Sequence, residues 1–414
     1  MQKIRNILID RVKNATHENF PSIVRKAIHE GVVKPEDLRY FADRTRDFLD
    51  KLTIPQITSL LHSFSLPIYR NFELFTNLTN RLHVLLSDSI PSVEDNIKII
   101  NSCGRLRYTC SHVLDILVKH LEGDMDLIKP RSMTAILHSL TRLKYHDLKF
   151  LEKLAVCMLS GLPQLTEVEF ANFSIAVSKV YVQINNQGES DAEKTPSVEQ
   201  GEIILSAIVT EILNRAPLMS PMDSLRHIIA LSNLKNVHGE KNLSTCVTEL
   251  AKRINCAVLY YEHLVLLLEC LVSLNVYLPS FLFPSLIPSI LDKRDDPKIA
   301  SNITLQIELR LLDSITTFPS INESCNILVE NISTNILNLL EESPQLIKYV
   351  FEIFNKMQLD TDDLLQQLES LLENKPKFGN FLDKDAKIHI STSISKSSQQ
   401  WPIISDLLDK NNMQ

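Results

Sequence analysis

The chain has little glycine: 8 in 414 residues, far under the roughly 7% that is usual. Sheets closed by tight hairpins draw on glycine at their turns, so this scarcity points to helices joined by short connections. No two glycines lie within five residues of each other, which excludes a glycine-rich phosphate loop. The 7 cysteines are odd in number and contain no CxxC pair. That argues against a disulfide framework or a zinc site, and for a reducing compartment. No HExxH motif occurs. Long apolar runs are missing too: LVLLLECLVSL (264–274) is too short and too interrupted to span a bilayer.

What is present is a repeat. The stretch ILHSLTRLKYHD (136–147) has relatives upstream in LLHSFSLPIY (60–69) and IINSCGRLRY (99–108). Each has two aliphatic residues, a variable residue, a small residue, an apolar residue and then an aromatic six after the small one. The small residues are Ser63, Ser102 and Ser139, and Tyr69, Tyr108 and Tyr145 stand at plus six. Weaker copies centre on Ala27, Ser178, Ala230, Cys270, Ser314 and Ile353, at intervals of 36 to 44 residues with one longer step of 52. That step holds the strongly polar NNQGESDAEKTPSVEQGE (185–202). Each unit has room for two helices. The small residue lets a neighbouring helix approach closely while the leucines fill the groove. Such units bury their apolar faces only by stacking. The expected fold is therefore an all-α solenoid of about nine two-helix repeats of roughly 37–40 residues. Residues 1–184 form its front half, 185–202 a polar loop or linker, 203–375 its back half, and 376–414 a polar segment with a short C-terminal helix. Two readings stand for the N-terminal MQKIRNILIDRVKN: an organelle-targeting amphipathic helix, or the first helix of the fold.

The charge is unevenly spread. Residues 1–160 hold 23 Lys and Arg against 18 Asp and Glu, whereas the remainder holds 20 against 32. In repeat register, Arg105 and Arg107 stand at plus three and plus five, as do Arg142 and Lys144, and later Asn233 and Lys235. Equivalent positions of stacked units lie side by side, so these cations are expected to form a stripe, with Tyr108 and Tyr145 interleaved as stacking groups for RNA. The competing reading makes them caps that answer the helix dipole. FLDKDAKIHI (381–390) sets Asp383, Asp385 and Lys387 together, yet lacks a partner acid for nuclease chemistry, and a solvated turn accounts for it. His62 and His138 recur one residue before the small position because the repeat recurs. No catalytic residue, metal, cofactor, membrane contact or small-molecule substrate is expected.

The two-helix unit resembles the helical repeats of RAP-domain and FAST-kinase-like proteins, and the heptatricopeptide repeats of apicomplexan mitochondria. ILHSLTRLKY and IINSCGRLRY carry the likeness, a Leu-rich run with small residues that ends in a basic and then an aromatic tip. The Ser-rich 391–400 and the amphipathic Trp401, Ile403, Ile404, Leu407 and Leu408 look like the segment leading into a RAP domain, whose own strands are absent. The resemblance implies a non-enzymatic mitochondrial protein associated with RNA, a component or assembly factor of the mitochondrial ribosome. Its implied partners are ribosomal RNA and ribosomal proteins. The alternative, from the repeat alone, is a protein–protein scaffold of armadillo or HEAT type.

Overall fold

The computed structural model describes residues 2–31, 33–67, 69–187, 198–235, 241–300, 303–317, 323–340, 343–357, 361–397 and 399–409. Among these the chain is all-α, without a strand, and it is a solenoid of helical hairpins. Its contacts divide it into two compact units: Met1–Arg215 with Asn233–Gly239, and Ala216–Ser232 with Glu240–Gln414.

Unit 1 opens with the helix Gln2–Lys13, which buries Leu8 and Val12 in the fold. Arg5 grips Asp37 with two hydrogen bonds of 2.7 Å. Burial opposes the Asp37 carboxylate, but the Arg5 bonds and the Lys34 N–H outweigh it and hold its pKa below the ordinary value. Five hairpins follow. Their first helices, A, are Phe20–His29, Ile54–Ser65, Val93–Leu106, Pro130–Arg142 and Glu167–Gln187. Their second helices, B, are Pro35–Phe48, Phe72–Leu86, Ser111–Gly123, Leu148–Cys157 and Val198–Arg215. The last A and B helices therefore run into the stretch read as a polar loop, of which residues 188–197 lie outside the described residues.

The A helices start where the sequence supplies caps. Thr53 and Gln56 form a capping box, and Ser92 accepts from the Asp95 N–H. Each A helix then buries one face, in repeat 4 Ile136, Leu137, Ser139, Leu140 and Leu143. Full burial of each leucine or isoleucine side chain contributes about 1.5–3 kcal/mol. Within unit 1 the A helices of consecutive repeats lie directly against each other. A Cβ on Gly104 would sit 2.5 Å from Ser139 Cβ and 2.8 Å from its Cα, so glycine is required there. Ser139 Oγ also donates to Asn101 Oδ1 across this seam, at 3.0 Å.

The burial pattern corrects the register of repeat 5. In repeats 3 and 4 the buried positions are minus three, minus two, zero, plus one, plus two and plus four. Phe173, Ser174, Ala176, Val177, Ser178 and Val180 reproduce that set only if the small residue is Ala176, not Ser178. The step from Ser139 becomes 37 residues, and Lys179 moves to plus three, the place of Arg105 and Arg142.

In unit 2 the A helices Tyr261–Ser273, Leu305–Thr316, Ile347–Met357 and Lys384–Lys396 follow the part of Pro221–Leu234 that this unit contains. The fourth of them differs from the expected polar segment. Lys384–Lys396 packs against Ile347–Met357 and buries Ala386, Ile390 and Ser393, and Pro402–Asp409, which follows it as the second helix of a tenth hairpin, packs against Asp362–Asn374. Asn355 Nδ2 donates to Ser393 Oγ at 3.0 Å, and Ser393 is the small residue 40 positions after Ile353. Asp383 caps that helix by accepting from the Ala386 N–H, and Asp385 pairs with Lys348 at 2.6 Å. Both carboxylates are occupied structurally. Deeper in the unit, Glu308 is fully buried and accepts from Arg294 Nε at 3.2 Å and Asn335 Nδ2 at 3.1 Å. Burial raises its pKa in spite of Arg294.

Candidate nucleic-acid interface

The tips that join helix A to helix B in repeats 2, 3, 4 and 7 end in one backbone motif. The N–H at plus six donates to the carbonyl at plus one: Tyr69 to Phe64 at 3.2 Å, and Tyr108 to Cys103, Tyr145 to Leu140 and Val276 to Leu271, each at 3.0 Å. The N–H at plus five donates to the carbonyl at plus two in Arg107, Lys144 and Asn275. This pair of bonds is the Schellman ending of a helix, and it puts the plus-five residue in the left-handed region. Arg107, Lys144 and Asn275 each have φ 53° there. The motif calls for an apolar contact between its last residue and the one five before it. Phe64 and Tyr69 make it, with ring centroids 5.9 Å apart.

That geometry corrects the reading of the tyrosines as stacking groups. Tyr145 is only 7% exposed and hydrogen-bonds to Asp115, and burial raises its hydroxyl pKa. Tyr108 is half-buried, its ring against Phe72 and Phe75 at 6.3 and 5.9 Å, its hydroxyl 3.1 Å from Thr76 Oγ1. Both serve the helix ending, where the motif takes an apolar contact to close the turn. Behind the Arg107 tip the free thiols of Cys103 and Cys110 lie 3.8 Å apart, both buried.

The cations fare differently. Arg107, Arg142 and Lys144 line one groove of unit 1, about 620 Å³ in volume, together with Lys179, His138, Gln183 and Asn233. Among the described residues none of these four cations forms an ion pair. Arg142 is held below its ordinary pKa by burial and then by Arg107, and Lys179 by burial, then Arg142 and Arg107. Like charges brought this close repel, and because none of them has a carboxylate partner among the described residues, an entering anion would relieve that repulsion. Arg105 is exposed but outside this lining; burial and then the charge of Arg105 hold His62 below its ordinary pKa. Lys235, also exposed, is not among the lining residues. Sequence reasoning missed Lys179 because the misplaced register of repeat 5 hid its position at plus three.

Among the described residues no three His, Cys, Asp or Glu side chains come together to hold a metal, and no helix is long and apolar enough to cross a membrane. No family model and no curated protein matches the chain. One solved structure that it is similar to is a circular tandem repeat protein with novel repeat topology and enhanced subunit contact surfaces. The identity is 11% over 99% of this chain and 97% of that one, at a TM-score of 0.23, too low to carry an argument.

Proposed function

We propose that this helical-repeat protein is a non-enzymatic scaffold that holds folded RNA by its phosphates in the groove of Arg107, Arg142, Lys144 and Lys179. The observation that supports this reading is the groove itself: four cations from three consecutive repeats, without carboxylate partners, in a cleft that Asn233 and Gln183 complete with hydrogen-bonding groups. Phosphates are held by such point and fork charges without reading base sequence. The RNA class we propose is mitochondrial ribosomal RNA, on the likeness of the two best tips to heptatricopeptide repeats; the protein would then belong to the mitochondrial ribosome or to its assembly.

The test uses glycine, which the left-handed plus-five position accepts without strain. Arg107→Gly with Lys144→Gly removes two cations and leaves the helix endings intact. A structured ribosomal RNA fragment is expected to bind this double variant at least about tenfold more weakly at moderate salt, with the melting temperature unchanged or higher. Wild-type affinity in the double variant would refute the groove and leave the repeat as a scaffold for proteins alone.

A further inference from the structure

The connections from helix B to the next helix A carry a periodic feature that the RNA groove does not use. The residue twelve before the small position is Ile90 in repeat 3 and Leu127 in repeat 4, and these are 79% and 73% exposed. In unit 2 the same position holds Leu218, Val258 and Phe381, also exposed. Where the connection forms a short 3-10 turn, as in Met125–Leu127, Ala216–Leu218 and Cys256–Val258, this residue is the last of the turn. The residue after it is buried, as Ile128, Met219 and Leu259 are. The turn therefore points one side chain in and the one before it out. Nothing in the turn requires the outward one to be apolar, because Lys51 and Gln164 end the same turn in repeats 2 and 5 and are exposed there.

We propose that the edge formed by Ile90 and Leu127 docks a basic amphipathic helix of a partner protein. The two residues occupy equivalent places in consecutive repeats whose helices pack side by side, roughly 8–10 Å apart. Apolar side chains seven residues apart on a helix are separated by about 10 Å, so one apolar stripe spans both. The charge around them fits a cationic helix. The connection at 87–92 carries Asp88, and the one at 124–129 carries Asp124 and Asp126 against Lys129. Among the described residues none of the three acids pairs with a cation. Repeats 3 and 4 thus present cations at their A-to-B tips, and isoleucine, leucine and acids at the B-to-A turns that lead into them. This edge does not depend on the RNA reading.

The experiment is fluorescence anisotropy of a labelled 15-residue helical peptide of Leu and Lys, with leucines spaced three and four apart, titrated with the full chain. The Lys peptide is expected to bind at least about tenfold more tightly than its Leu and Glu counterpart. Ile90→Gln with Leu127→Gln leaves the charge unchanged and copies the native Gln164. It is expected to weaken the Lys peptide by at least about tenfold without moving the melting temperature. Asp88→Asn, Asp124→Asn and Asp126→Asn together should weaken it less and flatten its salt dependence. Equal binding of the two peptides, or unchanged binding by the Gln pair, overturns the proposal. So does self-association in sedimentation, or attachment to anionic vesicles, that the Gln pair abolishes, because a second copy or a membrane would then be the occupant.

Discussion

The tips of repeats 3 and 4 in unit 1 and of repeat 7 in unit 2 have the same backbone and different chemistry. All three end in a Schellman turn with φ 53° at plus five, and all three place a large or apolar residue at plus six, Tyr108, Tyr145 and Val276. Repeat 7 fills the left-handed position with Asn275, a side chain that tolerates it, whereas repeats 3 and 4 use Arg107 and Lys144, which tolerate it less well. The helix ending therefore dictates the backbone and the residue at plus six, but not a cation at plus five. The two units differ in overall charge in the same sense, 27 Lys and Arg against 26 Asp and Glu in unit 1, and 16 against 24 in unit 2. A cation kept at some conformational cost, in the unit that balances its acids, is what the proposed phosphate groove calls for.

The sharpest way to break the comparison is at plus six. Tyr145→Ala empties a closed turn and should destabilise unit 1 by about 3–5 kcal/mol, as deletion of a buried ring does. Tyr145→Phe loses only the bond to Asp115, about 1 kcal/mol, and should leave RNA affinity unchanged. A large loss of RNA binding by the Phe variant would return the tyrosine to the interface. Next in size is the seam beneath the tips. Gly104→Ala drives a Cβ into the Ser139 backbone and should cost about 1–3 kcal/mol in chemical denaturation. Gly123→Ala meets nothing within 4 Å and should be neutral or stabilising.

Smaller again are the plus-five exchanges. Asn275→Gly should change stability by a few tenths of a kcal/mol and RNA binding not at all, while Arg107→Gly gains up to about 1 kcal/mol of stability and loses RNA. The smallest expected effect is a dependence on pH. Lys179 is lowered below 10.5 in the folded chain, so the unfolded state binds more protons in that window, and stability rises as pH climbs from the lowered value toward 10.5. Lys179→Gln should remove that rise from an alkaline unfolding series.

Much of the fold is legible in the sequence because close helix approach favours a small residue at one place in most units, with aliphatic residues at fixed distances from it. The register of repeat 5 is not. Ser174, Ala176 and Ser178 are all small and all buried, and only the exposure of Lys179 beside the burial of Val180 singles out Ala176. The tenth hairpin hides because Lys384–Lys396 commits few residues to the core, Ala386, Ile390 and Ser393, on an otherwise polar helix. At the interface, Arg107, Arg142 and Lys144 are visible as a periodic set. Tyr108 and Tyr145 mislead because periodicity is the same for an aromatic that closes a turn and for one that meets a base.

The central claim is that the groove cations are held for phosphate rather than for the helix endings. The measurement that tests it most directly is the slope of log affinity against log salt for a ribosomal RNA fragment. It is compared between the native chain and a variant with Arg107→Gly, Lys144→Gly, Arg142→Gln and Lys179→Gln. Each phosphate contact contributes roughly 0.7–0.9 to that slope, so the account predicts that it falls by about three in the variant while the melting temperature stays within a few degrees. An unchanged slope in a folded variant would contradict it.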